Sequence, residues 1–374
     1  MKVYQNKNVG IVSYNIHYRY SNYGSLLQTY ALQEVIKLYS NYNPVVIDYC
    51  PVAYEKCNPL NPLEVRDNIQ EKYKESNIDL NSIIENEIKI KEFIKTRYNL
   101  SKHSYFLDNF NESLKKEELV GFICGSDAIW SIDYFGGFDP VYFGEYPCMK
   151  NRTITYASSF GETKFDEHLR KKMLLYMKNF NAIGVRESTE IESIRKYSNK
   201  YIERVLDPTL LLSIDVYKRL MVNQLINQPY LLIYSRREDK EMINLAKKIA
   251  DKKGLRIINI SLNVYKDRNF QHQYSAGVEE FLSLIYFADF VVTNSLHGTI
   301  FSVIMNKEFL SFPRINGNKK IDEFLKLVGL ECRKVLKSSS VIDWDSIKYE
   351  KINSIIDEHR NASITYLKNA LDLL

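Results

Sequence analysis

The sequence predicts an α/β protein made of two doubly wound domains in tandem. Three observations carry this. The chain has 374 residues, enough for two domains of ordinary size, and 45% of them are hydrophobic, enough for two cores. Short apolar runs alternate with longer amphipathic ones, the pattern of βα units around a parallel sheet. Finally, VLDPTLLL (205–212) is interrupted by Pro208, as expected where a chain crosses between domains.

The elements follow in order. VGIVSY (9–14) is the first strand, GSLLQTYALQEVIKLY (24–39) a helix with Leu27, Tyr30, Ala31 and Val35 on one face, and PVVIDY (44–49) the next strand. From about 60 to 105 the chain turns lysine-, glutamate- and asparagine-rich, with Ile83, Ile84, Ile88, Phe93 and Ile94 at helical spacing; this reads as a helical insertion in the first domain. LVGFICGSD (119–127), RTITYASSFG (152–161) and NAIGVRE (181–187) return to strands, with a helix over 167–180. The first domain is expected to span 1–208 and the second 209–342. In the second, YLLIYSR, LRIINIS, DFVVT and EFLSF are strands, alternating with the helices DKEMINLAKKIADKKG, VEEFLSLIYFA and GTIFSVIMN. A helical tail covers 343–374. Ligands of such sheets bind at the carboxyl ends of the strands, so a cleft there is the expected site.

Composition removes several functions. The net charge of +5 is dispersed, unlike the basic stripe of a nucleic-acid binder, though it suits anionic substrates or a membrane surface. Five cysteines (Cys50, Cys57, Cys124, Cys148, Cys332) form no C-x-x-C pair, which argues against disulfides and zinc. MKVYQNKNVGIVSY lacks an apolar signal region and no run is long enough for a membrane span, so a cytoplasmic protein is expected. The histidines have no metal-ligand spacing, and neither H-E-x-x-H, G-x-S-x-G, G-x-G-x-x-G nor a Walker A pattern occurs.

Five polar clusters follow predicted strands. SNYGSLLQ (21–28) opens a helix: Gly24 permits close backbone approach, and Ser21 or Asn22 equally suits a plain cap. In GSDAIW, Asp127 beside Trp130 suits sugar recognition or, equally, a helix cap beside a core indole. Arg186 ends NAIGVRE, where a guanidinium pairs with carboxylate or phosphate, or with a neighbouring acid. Asp207 precedes Pro208, a turn signal. His297, in TNSLHGT, would sit at a helix N-terminus whose positive potential attracts anions, or would serve the turn itself.

In their order, NYG-x-x-LQ-x-YAL, GSD-x-x-W, YASSFG, VRE, VLDPTLLL and S-x-HGT-x-FS resemble the polysaccharide pyruvyl transferase family, over about 9–333. The resemblance implies a GT-B-like fold: two Rossmann-type domains facing a cleft. It also implies transfer of the enolpyruvyl unit of phosphoenolpyruvate onto a sugar of a surface polysaccharide intermediate, forming a pyruvate ketal and releasing phosphate. Such chemistry needs an acid to protonate the methylene carbon, a base for the sugar hydroxyl, and cations for the donor's phosphate and carboxylate. By resemblance, His297, Asp127 and Asp207 are the acid/base candidates. Arg186, Ser295, His297, Gly298, Lys319 and Arg333 bind the donor, with Arg314 in the same basic segment. Asn22, Gly24 and Trp130 face the acceptor. No cofactor is implied; phosphoenolpyruvate is a co-substrate, and an oligosaccharide or lipid-linked glycan the acceptor, at the inner face of the membrane. In two places the chain departs from the family pattern. Ketal-forming members carry an arginine two residues before the histidine, where this chain has Ser295, and Ala128 stands where glutamine is common. A GT-B glycosyltransferase using a nucleotide sugar and a non-catalytic glycan-binding scaffold are the competing readings.

Overall fold

Every apolar run read as a strand becomes a parallel strand. The computed structural model describes residues 7–17, 22–55, 80–188, 190–237, 239–261, 269–312, 319–335 and 344–374. In chain order come β1 (Lys7–Val12), α1 (Tyr23–Tyr39), β2 (Tyr42–Tyr49), α2 (Leu80–Arg97), β3 (Leu100–Tyr105), β4 (Leu119–Cys124) and β5 (Thr153–Ser158). Next are α3 (Glu167–Tyr176), β6 (Ala182–Val185), α4 (Ile191–Tyr197) and β7 (Tyr201–Arg204). The second series is β8 (Tyr230–Tyr234), α5 (Lys240–Lys253), β9 (Arg256–Asn259), β10 (Gln271–His272), α6 (Val278–Tyr286), β11 (Phe290–Thr293), α7 (Leu296–Ile304) and β12 (Phe309–Ser311). Finally come α8 (Lys319–Val328) and α9 (Tyr349–Leu371).

Contacts divide the chain into two units. Unit 1 is Met1–Pro59, Ile94–Leu212 and Asp357–Leu374; unit 2 is Leu60–Phe93 and Ser213–Ile356. The sheet of unit 1 has the order β3-β2-β1-β4-β5-β6-β7, and that of unit 2 the order β10-β9-β8-β11-β12. Both are wholly parallel. Each reverses direction beside its first strand, between β1 and β4 in unit 1 and between β8 and β11 in unit 2. That reversal is where a doubly wound sheet opens a crevice at its carboxyl edge.

The division differs from the sequence expectation in three places. The helical insertion groups largely with unit 2, because α2 packs there: Lys89 pairs with Glu280 of α6 at 2.7 Å, and Asn86 donates to the Ala276 carbonyl. The tail is shared, since α9 belongs to unit 1 only from Asp357. From there Tyr366 donates to the Thr155 carbonyl at 3.0 Å, and its ring lies where a Cβ on Gly184 would be, 2.6 Å away. Third, LSKHSY is not part of a helical insertion but strand β3. It is an edge strand paired only with β2, so its exposed Lys102, His103 and Ser104 hide the apolar run that would mark it. Residues 60–79 of the insertion, and Arg314, lie outside the described residues.

The cores are of different kinds. Unit 1 packs aromatic rings: Trp130, Phe143, Tyr142, Phe122 and Phe180 are all at most 1% exposed. Unit 2 packs aliphatic side chains, with Leu231, Ile233, Val292 and Leu310 of the sheet against Met242, Leu245 and Ile249 of α5. The polarity of α5 is set by an Asp239 cap accepting from the Met242 N–H and by Gly254 in the left-handed region at its end. Among the described residues no helix is long and apolar enough to cross a membrane.

Candidate functional site

At the β1/β4 switch point of unit 1 the chain folds its polar residues inward. Gln28, fully buried on α1, donates to Ser13 Oγ at 2.9 Å and accepts from the Ser126 N–H at 3.2 Å. Ser13 Oγ in turn donates to the Ser126 carbonyl. The glutamine thus ties α1 to the ends of both strands, and that is what the LQ of NYG-x-x-LQ does. Gly125 cannot carry a side chain, since a Cβ would lie 2.1 Å from the Tyr156 carbonyl.

Asp127 follows with φ 72°, a conformation uncommon outside glycine but tolerated by aspartate. It is held there by its carbonyl, which accepts from Ile129 and Ser159, and by its carboxylate, which accepts from the Ala128 N–H at 2.8 Å. Strain kept in this way is common at ligand sites. Beside it Arg186, 8% exposed, is surrounded by acids: Nη1 reaches Asp207 at 2.9 Å, Nε reaches Glu187 at 2.9 Å, and Nη2 reaches Asp127 at 3.5 Å. Burial disfavours its charge, but the three carboxylates outweigh this and hold the guanidinium firmly protonated.

The β8/β11 switch point of unit 2 has the opposite character. Ser295 caps α7, accepting from the Gly298 N–H at 3.3 Å, and His297 sits in the first turn, 5% exposed. Gly298 is required by packing, because a Cβ would lie 2.2 Å from Thr293 Oγ1. Across the register Thr293↔Tyr234, the chain leaving β8 brings Arg236 and Arg237 to the same edge. Asn294 shapes that loop: its Oδ1 accepts from the Arg236 N–H at 2.7 Å, and its Nδ2 donates to Ser235 Oγ and the Arg237 carbonyl, both at 3.0 Å. Burial pushes the Tyr234 hydroxyl above its usual range, offset in part by the charge of Arg236 and by hydrogen bonds with Ser295 and Arg236. Arg236 and Ser295 therefore both neighbour the Tyr234 side chain, whose ring packs by Gly298 in the first turn of α7. Further along this edge, His272 Nδ1 meets the Tyr274 hydroxyl at 2.8 Å and Asn259 at 3.3 Å.

A family model described as polysaccharide pyruvyl transferase matches residues 22–316, well over half of the chain and, Ser13 apart, the polar residues just described at both switch points. The chain belongs to the polysaccharide pyruvyl transferase family. No curated protein matches it by sequence. Among solved structures it is similar to the S. aureus MnaA-UDP co-structure, with 9% identity and a TM-score of 0.51 over 98% of this chain and 91% of that one. It is also similar to the UDP-GlcNAc 2-epimerase from Methanocaldococcus jannaschii, with 9% identity and a TM-score of 0.50 over 95% and 93%. At this identity the likeness is one of fold: two Rossmann-type sheets of the GT-B class.

For a polysaccharide pyruvyl transferase family member, several residues sit differently from what the sequence suggests. Trp130 offers no face to a sugar: it is 0% exposed, with Phe160, Phe143 and Phe180 at 4.9–5.8 Å and its indole N–H given to the Tyr142 carbonyl. Arg186, expected at the donor, is engaged by three carboxylates. Asp207, 3% exposed, accepts at Oδ1 from the Thr209 N–H and hydroxyl and at Oδ2 from Arg186. Gly298 gives its N–H to Ser295. Arg333 is 2% exposed, paired with Glu308 at 2.9 Å and donating to the Asp345 carbonyl. Lys319 opens α8, and its side chain lies outside the described residues. Asn22 stands at the N-cap of α1, partly exposed and with no side-chain capping bond, and Gly24 is buried in the first turn. Asp127, Ser295 and His297 lie at the two switch points. The sequence assigns no role to Arg236 or Asn294, and carries Gln28 only as part of the NYG-x-x-LQ motif; the RR directly after a strand is the local signal for Arg236.

Proposed function

We propose that the chain transfers the enolpyruvyl unit of phosphoenolpyruvate to a sugar of a surface or capsular polysaccharide intermediate, forming a pyruvate ketal and releasing phosphate. The observation that carries this is one strand edge that holds the Arg236 loop, pinned through its backbone by Asn294, and the first turn of α7 with Ser295 and His297. That group supplies what a doubly anionic donor needs: an exposed guanidinium, first-turn N–H groups and an imidazole. The cation that an arginine at 295 would bring is, in this reading, supplied by Arg236, in the loop after β8. In this reading His297 serves the donor phosphate or protonates the methylene carbon. Asp127, fixed by Arg186 and its own turn, orients an acceptor hydroxyl, with Asn22 and Gly24 on the same edge of unit 1. The acceptor is an oligosaccharide or lipid-linked glycan met in the cytoplasm at the inner face of the membrane.

The test is calorimetry with phosphoenolpyruvate, followed by phosphate release in the presence of free and lipid-linked oligosaccharides. Binding that is lost in His297→Ala, and phosphate release that requires an acceptor, are the expected results. A thermal shift with nucleotide sugars and none with phosphoenolpyruvate would overturn the reading in favour of a glycosyltransferase.

A further inference from the structure

The loop leaving β1 carries a second ionisable group that the reading above does not use. His17 Nε2 lies 2.6 Å from Asp48 Oδ1, and Ser104 Oγ lies 2.5 Å from the other oxygen, Asp48 Oδ2. The three residues come from the loop after β1, from β2 and from β3, and Asp48 is in register with Ser104. They therefore sit along the carboxyl edge of the unit 1 sheet. Both the His17 and Asp48 side chains are 23% exposed, reachable by a ligand yet drawn partly out of water. Burial raises the Asp48 carboxyl, but the hydrogen bonds from His17 and Ser104 outweigh it, and the net shift is downward. The carboxylate thus stays charged beside the ring.

This is more order than a surface ion pair requires. With both oxygens occupied, Asp48 fixes the ring plane and draws the Nε2–H, which leaves Nδ1 as the basic nitrogen. Among the described residues Nδ1 has no partner. Two residues upstream, Asn15 is 3% exposed and its Nδ2 has no hydrogen-bond partner among the described residues, so the same loop holds a buried donor. A base, an orienting acid and a spare donor on one loop fit a hydroxyl ligand, which gives a proton and accepts a hydrogen bond.

We propose that His17, oriented by Asp48, is the base that takes the proton from the acceptor hydroxyl. The proposal rests on the group-transfer reading above. In the first addition the hydroxyl O–H bond breaks and its proton passes to Nδ1. The oxygen's electron pair forms the bond to the central carbon of an enolpyruvyl unit already protonated at its methylene. In the second, the bond from that carbon to the phosphate oxygen breaks and its electron pair leaves with phosphate. The neighbouring hydroxyl then closes the ketal, and its proton goes to the same base once the first has passed to solvent. Asp48 and Ser104 are positioning residues.

His17→Gln is expected to lower acceptor-dependent phosphate release by about 100-fold or more. It should also remove the acid limb of the pH–rate profile and leave phosphoenolpyruvate binding by calorimetry unchanged. Asp48→Asn should give a smaller loss. If His17→Gln keeps both its rate and its acid limb, the proposal is overturned while the transfer reading stands. If the unmodified protein releases no phosphate with any acceptor, the transfer reading falls, and the base is then judged by nitrogen-15 NMR of the histidine rings. A proton on Nε2 of His17, and an Nδ1 resonance that moves on adding methyl β-galactopyranoside, support it. A proton on Nδ1, or no movement, overturns it.

Discussion

The two switch points have the same topology and opposite chemistry. In unit 1 the strand ends hold a guanidinium inside three carboxylates, and the cluster is net negative. In unit 2 the loop after β8 carries Arg236, which is exposed, and Arg237, which donates to the Phe312 carbonyl, at the same edge as the N-terminus of α7. A parallel sheet fixes where ligands go, but the residues immediately past each strand decide what charge they meet. On the proposed function, unit 1 would meet the acceptor hydroxyl and unit 2 the donor anion. The same contrast says where substitutions should damage stability and where they should damage binding.

The largest effect belongs to Arg186. Arg186→Leu leaves Asp127, Asp207 and Glu187 facing one another with no cation, and removing one partner of a buried charge group typically costs about 3–5 kcal/mol. Urea denaturation should show that loss, with Arg186→Lys intermediate because an ammonium cannot reach three carboxylates in one plane. A cost below about 1 kcal/mol would mean that the cluster is hydrated, and that Arg186 is free to meet a ligand after all.

A second buried acid in unit 1 adds a pH signature. Burial pushes the Asp139 carboxyl up to about 6, against the hydrogen bonds it accepts from Tyr49 and from the Tyr142 and Val141 N–H groups. A carboxyl raised in the folded state stabilises the fold when protonated. That contribution is complete below the unfolded value of about 4 and is lost as pH rises through about 6. At about 1.4 kcal/mol per unit, the loss is about 3 kcal/mol. Asp139→Asn should flatten the stability profile across this window while the parent falls. Equal slopes in the two proteins would remove the assignment.

Arg236 is the counterpart in unit 2. Being exposed, it contributes little to folding, so Arg236→Ala should leave the melting temperature nearly unchanged. The lost charge-assisted hydrogen bond, about 1.5–3 kcal/mol, should weaken phosphoenolpyruvate binding by about 10- to 100-fold in calorimetry. If affinity survives, the cation at the α7 terminus is supplied by another residue.

How much of this could be read from the sequence depended on distance along the chain. The inner strands were legible because burial on both faces makes them continuous apolar runs. β3 and β7, edge strands with polar faces, were not. Likewise the SLHG turn announces a helix start by local residue types. The partners that define each site do not: Asp127 lies 59 residues from Arg186, and Asn294 lies 58 residues from the Arg236 N–H it holds. Only the strand order brings those pairs together. Trp130 shows the opposite error, where sequence proximity to Asp127 suggested a sugar platform and the ring instead fills the aromatic core.

Ser295 gives the smallest effect and the finest distinction. As the cap of α7 it should cost about 1 kcal/mol when changed to alanine. Affinity for phosphoenolpyruvate should fall only slightly, because the charge comes from Arg236. Aspartate caps helices as well as serine does, so Ser295→Asp should keep the stability that alanine loses. It also places a negative charge at the helix N-terminus, on the edge that holds Arg236, where it repels an anionic donor. Thermal melts and calorimetry on the two variants should therefore separate in opposite directions: alanine less stable but binding, aspartate stable but not binding. If aspartate binds as well as serine, the donor anion does not approach the first turn of α7, and Arg236 must act elsewhere along the edge.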